Sequence, residues 1–132
     1  GKFIHFSQHT FNKNSGTSLI YVPINSTVDQ AAFEEYANWM APYDGKLVKV
    51  MVRAAGYSGN FGGSTVVGLH INRNASAATT VTATIGSDAT VTFTFSSNNA
   101  FSAGDLLALS MDVSTAPGDI NLCAVWEFDS TT

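Results

Sequence analysis

Hydrolysis by paired carboxylates needs two acids about 5–10 Å apart in a cleft, one of them with a raised pKa. The chain offers Glu34, Glu35, Asp44, Asp105, Asp112, Asp119 and Glu127. Asp44 and Asp105 sit beside glycine in turn-like sequences, where an Asp side chain caps its own backbone. They read as turn caps. Asp112 and Glu127 fall in strand-like runs, and no spacing couples them. His5 and His9 are four residues apart. On an extended strand they share a face but stand about 13 Å apart, too far to chelate one ion. His70 could join either only through folding. Three copies of one histidine around a symmetry axis could hold an ion, so an axial site at His5, His9 or His70 stays open. No Gly-x-Ser-x-Gly nucleophile elbow is present. Cys123 is the only cysteine, which excludes an intrachain disulfide and a cysteine metal cluster. In its apolar surroundings it reads as a small buried hydrophobe. The chain is therefore expected not to be an enzyme, and no cofactor or metal is expected.

Recognition has more material. Sugar binding uses an aromatic platform with amides, carboxylates and hydroxyls at its rim. Candidates for exposure are Tyr36, Trp39, Tyr43, Tyr57, Asn60, Phe61, Asn72, Arg73 and Asn74. The expected ligand-binding set is Tyr57, Asn60, Phe61, Asn72 and Arg73, because binding residues concentrate on loops held by a rigid scaffold. Gly59-Asn60-Phe61-Gly62-Gly63 lacks the Lys and the strand-to-helix context of a phosphate-binding loop. Trp39, Tyr43 and Trp126 read as core or subunit-interface aromatics.

The elements that must hold these residues are extended. Apolar residues recur with period two. Thr80–Ile85 and Thr90–Phe95 alternate Thr with Val, Ala, Ile or Phe. The intervening Gly86–Ala89 reads as a turn, predicting a hairpin. Lys2–Phe6, Ser18–Pro23, Leu47–Ala54, Ser64–Ile71, Leu106–Val113 and Ile120–Phe128 are further strands, with Val48, Val50, Val52 and Ala54 toward the core. Asp29 as an N-cap before Gln30–Tyr36 could open a helical turn, though an extended reading is equally open. Eight short strands at 8–14 residue spacing describe a sandwich or barrel.

Composition agrees with one folded unit, 1–132. The 132 residues are 45% hydrophobic but only 12% charged, about half the usual charged share. Ser and Thr supply 28 positions and Asn 10. A net charge of −4 leaves no basic patch for a phosphate backbone, so nucleic acid is not expected as a partner. No 18-residue apolar run and no charged-then-apolar leader occur, so neither membrane insertion nor a signal peptide is expected. A first residue that is Gly1 rather than Met suggests processing or a piece of a longer chain.

Three segments carry a resemblance. Met40-Ala41-Pro42-Tyr43-Asp44-Gly45-Lys46-Leu47 is similar to the Ala-Pro-x-x-Gly step of C1q and tumour necrosis factor globular heads. Phe101-Ser102-Ala103-Gly104-Asp105 matches their Phe-x-x-Gly-Asp turn. With Ala124-Val125-Trp126-Glu127-Phe128-Asp129, the set resembles more closely the C-terminal head domains of phage tail fibres and related virion proteins, over about residues 35–129. The resemblance implies an all-β jelly-roll β-sandwich of ten or so strands that forms a homotrimer. It implies a place on the virion, at the tail or capsid surface, joined to another virion protein through the N-terminus. The main expectation is a non-catalytic tail fibre or spike head that binds a host-surface glycan, three sites on one tip giving avidity. The alternatives are a capsid decoration or head-fibre structural protein and a secreted bacterial carbohydrate-binding module.

Overall fold

The computed structural model describes residues 1–13, 19–27, 37–54, 64–86, 89–113 and 118–131. The helical turn expected at Asp29–Tyr36 and the glycine-rich loop with Tyr57, Asn60 and Phe61 lie outside them. Among the described residues ten strands follow one another: β1 (Lys2–Lys13), β2 (Leu19–Tyr21), β3 (Trp39–Met40), β4 (Asp44–Ala54), β5 (Ser64–Ile71), β6 (Thr79–Thr84), β7 (Thr90–Thr94), β8 (Ala100–Phe101), β9 (Leu106–Val113) and β10 (Gly118–Asp129).

They form two antiparallel sheets of five strands. The first runs β1-β10-β4-β7, with β8 also paired to β4. The second runs β2-β9-β5-β6, with β3 also paired to β9. Most connections cross from one sheet to the other, and first and last strands lie side by side. This is an all-β jelly-roll sandwich.

The alternation read from sequence explains the layers. Ile120, Leu122, Ala124, Trp126 and Phe128 of β10 are all buried, as are Leu107, Leu109, Met111 and Val113 of β9. Thr90, Thr92 and Thr94 of β7 and Thr80, Thr82 and Thr84 of β6 face outward.

Three local expectations are corrected. β6 and β7 do not form a hairpin. They belong to different sheets, because each is an amphipathic edge strand and their apolar faces meet through the core instead of lying side by side. In β4, Val50, Val52 and Ala54 are buried as expected, but so is Leu47, while Val48 is half-buried. A bulge is the cause: Lys49 pairs with Val125 and Leu47 with Trp126, leaving Val48 without a partner in β10. The backbone around the bulge is satisfied by Asn99, whose Nδ2 donates to the Leu47 carbonyl at 2.6 Å while Leu47 N–H donates to the Asn99 carbonyl at 3.0 Å. Cys123 is half-buried on the outer face of its sheet, not in the core, because its neighbours Leu122 and Ala124 take the inward positions.

The three segments that carried the resemblance pack together at one end of the sandwich. Ala41 N–H donates to the Asp105 carbonyl at 2.9 Å, and Gly104 N–H donates back to the Ala41 carbonyl at 2.8 Å. Asp44 Oδ1 accepts from Ala103 N–H at 2.7 Å, and Asp105 Oδ2 from Ser102 N–H at 2.8 Å. Asp105 thus caps its own turn, as its sequence indicates, whereas Asp44 caps that same turn from 59 residues away in the chain. The Phe101 ring lies 5.9 Å from both Trp126 and Phe128, tying the third segment to the other two.

Candidate interaction surface

β1 ends one side of the first sheet, and β2 and β3 end the same side of the second. The side chains of Lys2, Ile4, Phe6, Gln8 and Thr10 face outward. The alternate set, Phe3, His5, Ser7, His9 and Phe11, turns toward the core, where His9 and Phe11 are buried. Among the described residues the large exposed hydrophobic side chains are Phe3 (40%), Ile4 (58%), Phe6 (60%), Leu19 (38%) and Met40 (63%). All five belong to β1, β2 and β3. Scattered exposed apolar residues need no explanation, but a set confined to one side of a small domain marks a surface that something covers.

Between the two sheets on this side lies a crevice of about 170 Å³, lined by His5, Ser7, His9, Ile24 and Trp39. Its inner wall is a polar relay. Trp126 Nε1–H donates to Ser7 Oγ at 3.0 Å. His9 Nδ1 lies 2.9 Å from the Pro23 carbonyl and Nε2 lies 3.0 Å from Ser7 Oγ. A carbonyl only accepts, so Nδ1 carries the proton; Nε2 is then the acceptor, and the Ser7 hydroxyl donates to it. Every group in the relay is satisfied with His9 neutral. Burial holds the His9 imidazole below its ordinary pKa, the Pro23 hydrogen bond acting in the opposite sense. Trp39 closes the crevice and stands edge-on to Trp126 at 5.0 Å.

A serine beside a histidine invites a catalytic reading, but the geometry is structural. The outer nitrogen of His9 meets a neutral carbonyl, not a carboxylate that would stabilise an imidazolium. The Ser7 oxygen already accepts a hydrogen bond from Trp126. What the crevice can do is admit an apolar or aromatic group against Trp39 and His5.

His70 repeats the arrangement on the outer face of the second sheet. Nδ1 lies 2.9 Å from the Asn74 carbonyl and Nε2 lies 2.7 Å from Ser110 Oγ, with Tyr21 edge-on at 5.1 Å. Burial lowers its pKa as well, against the opposing effect of the Asn74 hydrogen bond. His9 and His70 stand on different sheets with both ring nitrogens engaged. Among the described residues no three His, Cys, Asp or Glu side chains converge on a metal-sized site.

Of the expected binding set, Asn72 and Arg73 form the left-handed turn after β5, with φ of 54° and 60°. The Asn72 amide is engaged: Nδ2 donates to Asp105 Oδ1 at 3.0 Å, and Oδ1 accepts from Leu106 N–H at 2.9 Å. Arg73 is exposed. Tyr57, Asn60 and Phe61 lie outside the described residues. Tyr43 is half-buried against Phe3 and Phe128, and Trp39 is half-buried against Trp126. Among the acids, Glu127 lies 3.9 Å from both Lys2 and Lys46, while Asp112 is exposed on the other sheet.

Sequence reasoning did not single out Ile4, Phe6, Met40 or Ser7. One signal was present. Lys2–Phe6 carries apolar side chains on both faces, Phe3 on one and Ile4 and Phe6 on the other, which a strand with one solvated face does not do.

No protein-family model and no curated protein sequence matches this chain. Solved structures do. The chain is similar to one in the X-ray structure of the CPMV top component, with 13% identity over 96% of this chain and 84% of that one, at a TM-score of 0.55. At this identity the likeness is one of fold, and it agrees with the jelly-roll sandwich described above. Broad Bean Stain Virus gives 12% identity over 98% and 86%, at 0.48. A chain of the Bacillus endospore appendages, described as disulfide-linked pili, gives 13% over 97% and 89%, at 0.43. At those TM-scores the last two likenesses carry no further argument.

Proposed function

We propose that this chain is a structural subunit of a virus particle, a coat or capsid-decoration jelly roll that acts by assembling with copies of itself and not by catalysis. The observation that carries this reading is the confinement of the exposed Phe3, Ile4, Phe6, Leu19 and Met40 to one side of the sandwich. The fold shared with the CPMV top component and the similarity of the three packed segments to virion head domains support the same reading. The assembly implied by the latter is a homotrimer on the virion surface, with a further virion protein met through the N-terminus.

Sedimentation velocity on the purified chain from about 1 to 100 μM, with negative-stain imaging, tests it. Discrete oligomers or closed particles are the expected outcome. A single 13.9 kDa species throughout that range would overturn self-assembly.

A narrower form makes the oligomer a tail-fibre or spike head that holds a host-surface glycan through Tyr57, Asn60, Phe61, Asn72 and Arg73. The exposed, positively charged Arg73 beside the Asn72–Asp105 clasp favours it. A glycan array probed with the oligomer separates the two. Selective binding lost in Tyr57→Ala, Phe61→Ala and Arg73→Ala supports the receptor role; an array without signal leaves the shell role.

A further inference from the structure

We propose that Lys2–Gln8, the half of β1 whose outer edge no described residue covers, is a homodimerisation edge: two copies pair these strands antiparallel about a twofold axis at His5, with Ile4 of one copy opposite Phe6 of the other. The proposal rests on the self-assembly reading above and names a twofold contact between copies, separate from the threefold contacts of the implied homotrimer.

The backbone supplies the first argument. In an antiparallel pair, residues alternate between those that exchange hydrogen bonds with the partner strand and those that point away. Asn12 N–H donates to the Thr27 carbonyl at 3.2 Å, on the side away from β10. By alternation Lys2, Ile4, Phe6, Gln8 and Thr10 aim their N–H and C=O groups to that same side. The segment 22–27 covers the C-terminal part of β1, through Asn12 and through the His9–Pro23 contact. Along Lys2–Gln8 no described residue pairs with the outer edge. A flat edge with a row of open donors and acceptors is a template for strand addition unless it is charged, bulged or covered. Here its only charge is Lys2, and its neighbours are apolar.

The second argument is self-complementarity. Lys2–Gln8 has its midpoint at His5, so an axis there uses the whole free stretch and stops where segment 22–27 begins. That register sets Ile4 against Phe6 twice, gathering the four most exposed apolar side chains of the two β1 strands. Lys2 then faces Gln8, and no charge meets a like charge. Moving the axis to Phe6 sets Ile4 against Gln8. Moving it to Ser7 sets Phe6 against Gln8 and Ile4 against Thr10, and drives the partner strand into segment 22–27. With Phe3 beside the edge, the exposed apolar side-chain surface of β1 is on the order of 300 Å², taking about 200 Å² for a large side chain.

Directed cross-linking tests the register. The axis at His5 makes the two His5 residues a non-hydrogen-bonded pair with Cα atoms about 4.5 Å apart, within disulfide range. In a Cys123→Ser background, His5→Cys is expected to oxidise to a covalent dimer at least tenfold more than Thr10→Cys, which has no partner in this register. Phe6→Glu should shift the dimer midpoint concentration upward by at least tenfold. On the unsubstituted chain, amide exchange at Ile4, Phe6 and Gln8 should slow as concentration rises. Equal cross-linking of the two cysteine variants, or exchange at these amides independent of concentration in a protein that does associate, would overturn the β1 pairing while leaving self-assembly standing. A chain that neither associates nor cross-links would overturn both.

Discussion

Trp126 Nε1 donates to Ser7 Oγ at 3.0 Å, joining the last strand to the first. The same hydroxyl donates to His9, so one small side chain satisfies two larger ones on the inner wall of the crevice. Ser7→Ala removes both hydrogen bonds and leaves the Trp126 N–H and His9 Nε2 without partners in a partly dry site. An orphaned buried polar group costs about 1–3 kcal/mol. The urea midpoint of Ser7→Ala should fall by a corresponding amount. Trp126→Phe removes the indole donor as well as part of the ring, so the Ser7→Ala and Trp126→Phe double-mutant cycle should show coupling, which two independent sites would not.

Stability should fall on mild acidification. His9 and His70 are both held below the ordinary histidine pKa of about 6.5 by burial. Below that value the unfolded chain takes up protons that the folded chain resists, so stability rises with pH across the window. It is complete above about pH 6.5 and is lost as pH falls through the lowered folded values. Asp129 is also lowered, chiefly by its hydrogen bonds from Thr131, but its effect begins only in the carboxylate range near pH 4. Denaturation midpoints measured between about pH 8 and pH 5 isolate the histidines. His70→Gln should flatten the slope of that profile; a slope identical to the parent would mean that His70 does not hold its neutral form.

The strands were legible because one face of most of them is purely apolar. Thr90-Val91-Thr92-Phe93-Thr94-Phe95 and Ile120–Phe128 announce both extension and inward face. β1 was legible only as Lys2–Phe6, although it continues to Lys13. Its inward row is His5, Ser7, His9 and Phe11, and the polar members belong there only because they satisfy one another, Trp126 and Pro23. Hydrogen-bond closure between distant segments leaves no periodic trace. The β4 bulge was hidden for a related reason: Leu47-Val48 is apolar at both positions, so period two does not show which residue is skipped. Asp105 was readable as a turn cap from its glycine neighbour, but Asp44 was not, because the turn it caps lies 59 residues further along the chain. The open side of the sandwich was not, because it arises where the edges of two sheets meet, a relation fixed by topology.

Gly45 and Gly104 should respond differently to alanine. A Cβ at Gly45 would collide with the Glu127 carbonyl oxygen and press on Phe101 and Phe128, backbone and buried rings that have nowhere to move. Gly104 has φ of +89° but open space around it. Gly104→Ala therefore carries only a conformational cost, about 1 kcal/mol. Gly45→Ala should exceed it by at least as much again, by forcing β4 away from β10 beside the bulge. Thermal midpoints of the two variants, measured side by side, check the order. Equal shifts would mean that β10 yields at Glu127.

Asn72 and Arg73 are adjacent in a left-handed turn, yet substitution should separate them. Asn72→Ala loses the hydrogen bonds to Asp105 and Leu106 and also places an ordinary residue at φ of 54°. Asn72→Gly loses the same bonds but adopts that backbone freely. Gly should be the milder substitution by about 1 kcal/mol, while both should be less stable than the parent because Leu106 N–H and Asp105 lose a partner at the start of β9. Arg73→Ala removes an exposed side chain, so its effect on the denaturation midpoint should stay within about 0.5 kcal/mol. If the turn also meets a ligand, Arg73→Ala should weaken binding at unchanged stability. Calorimetric unfolding of the three variants settles the stability order, and a fall in midpoint for Arg73→Ala as large as for Asn72→Ala would show that the arginine anchors the turn.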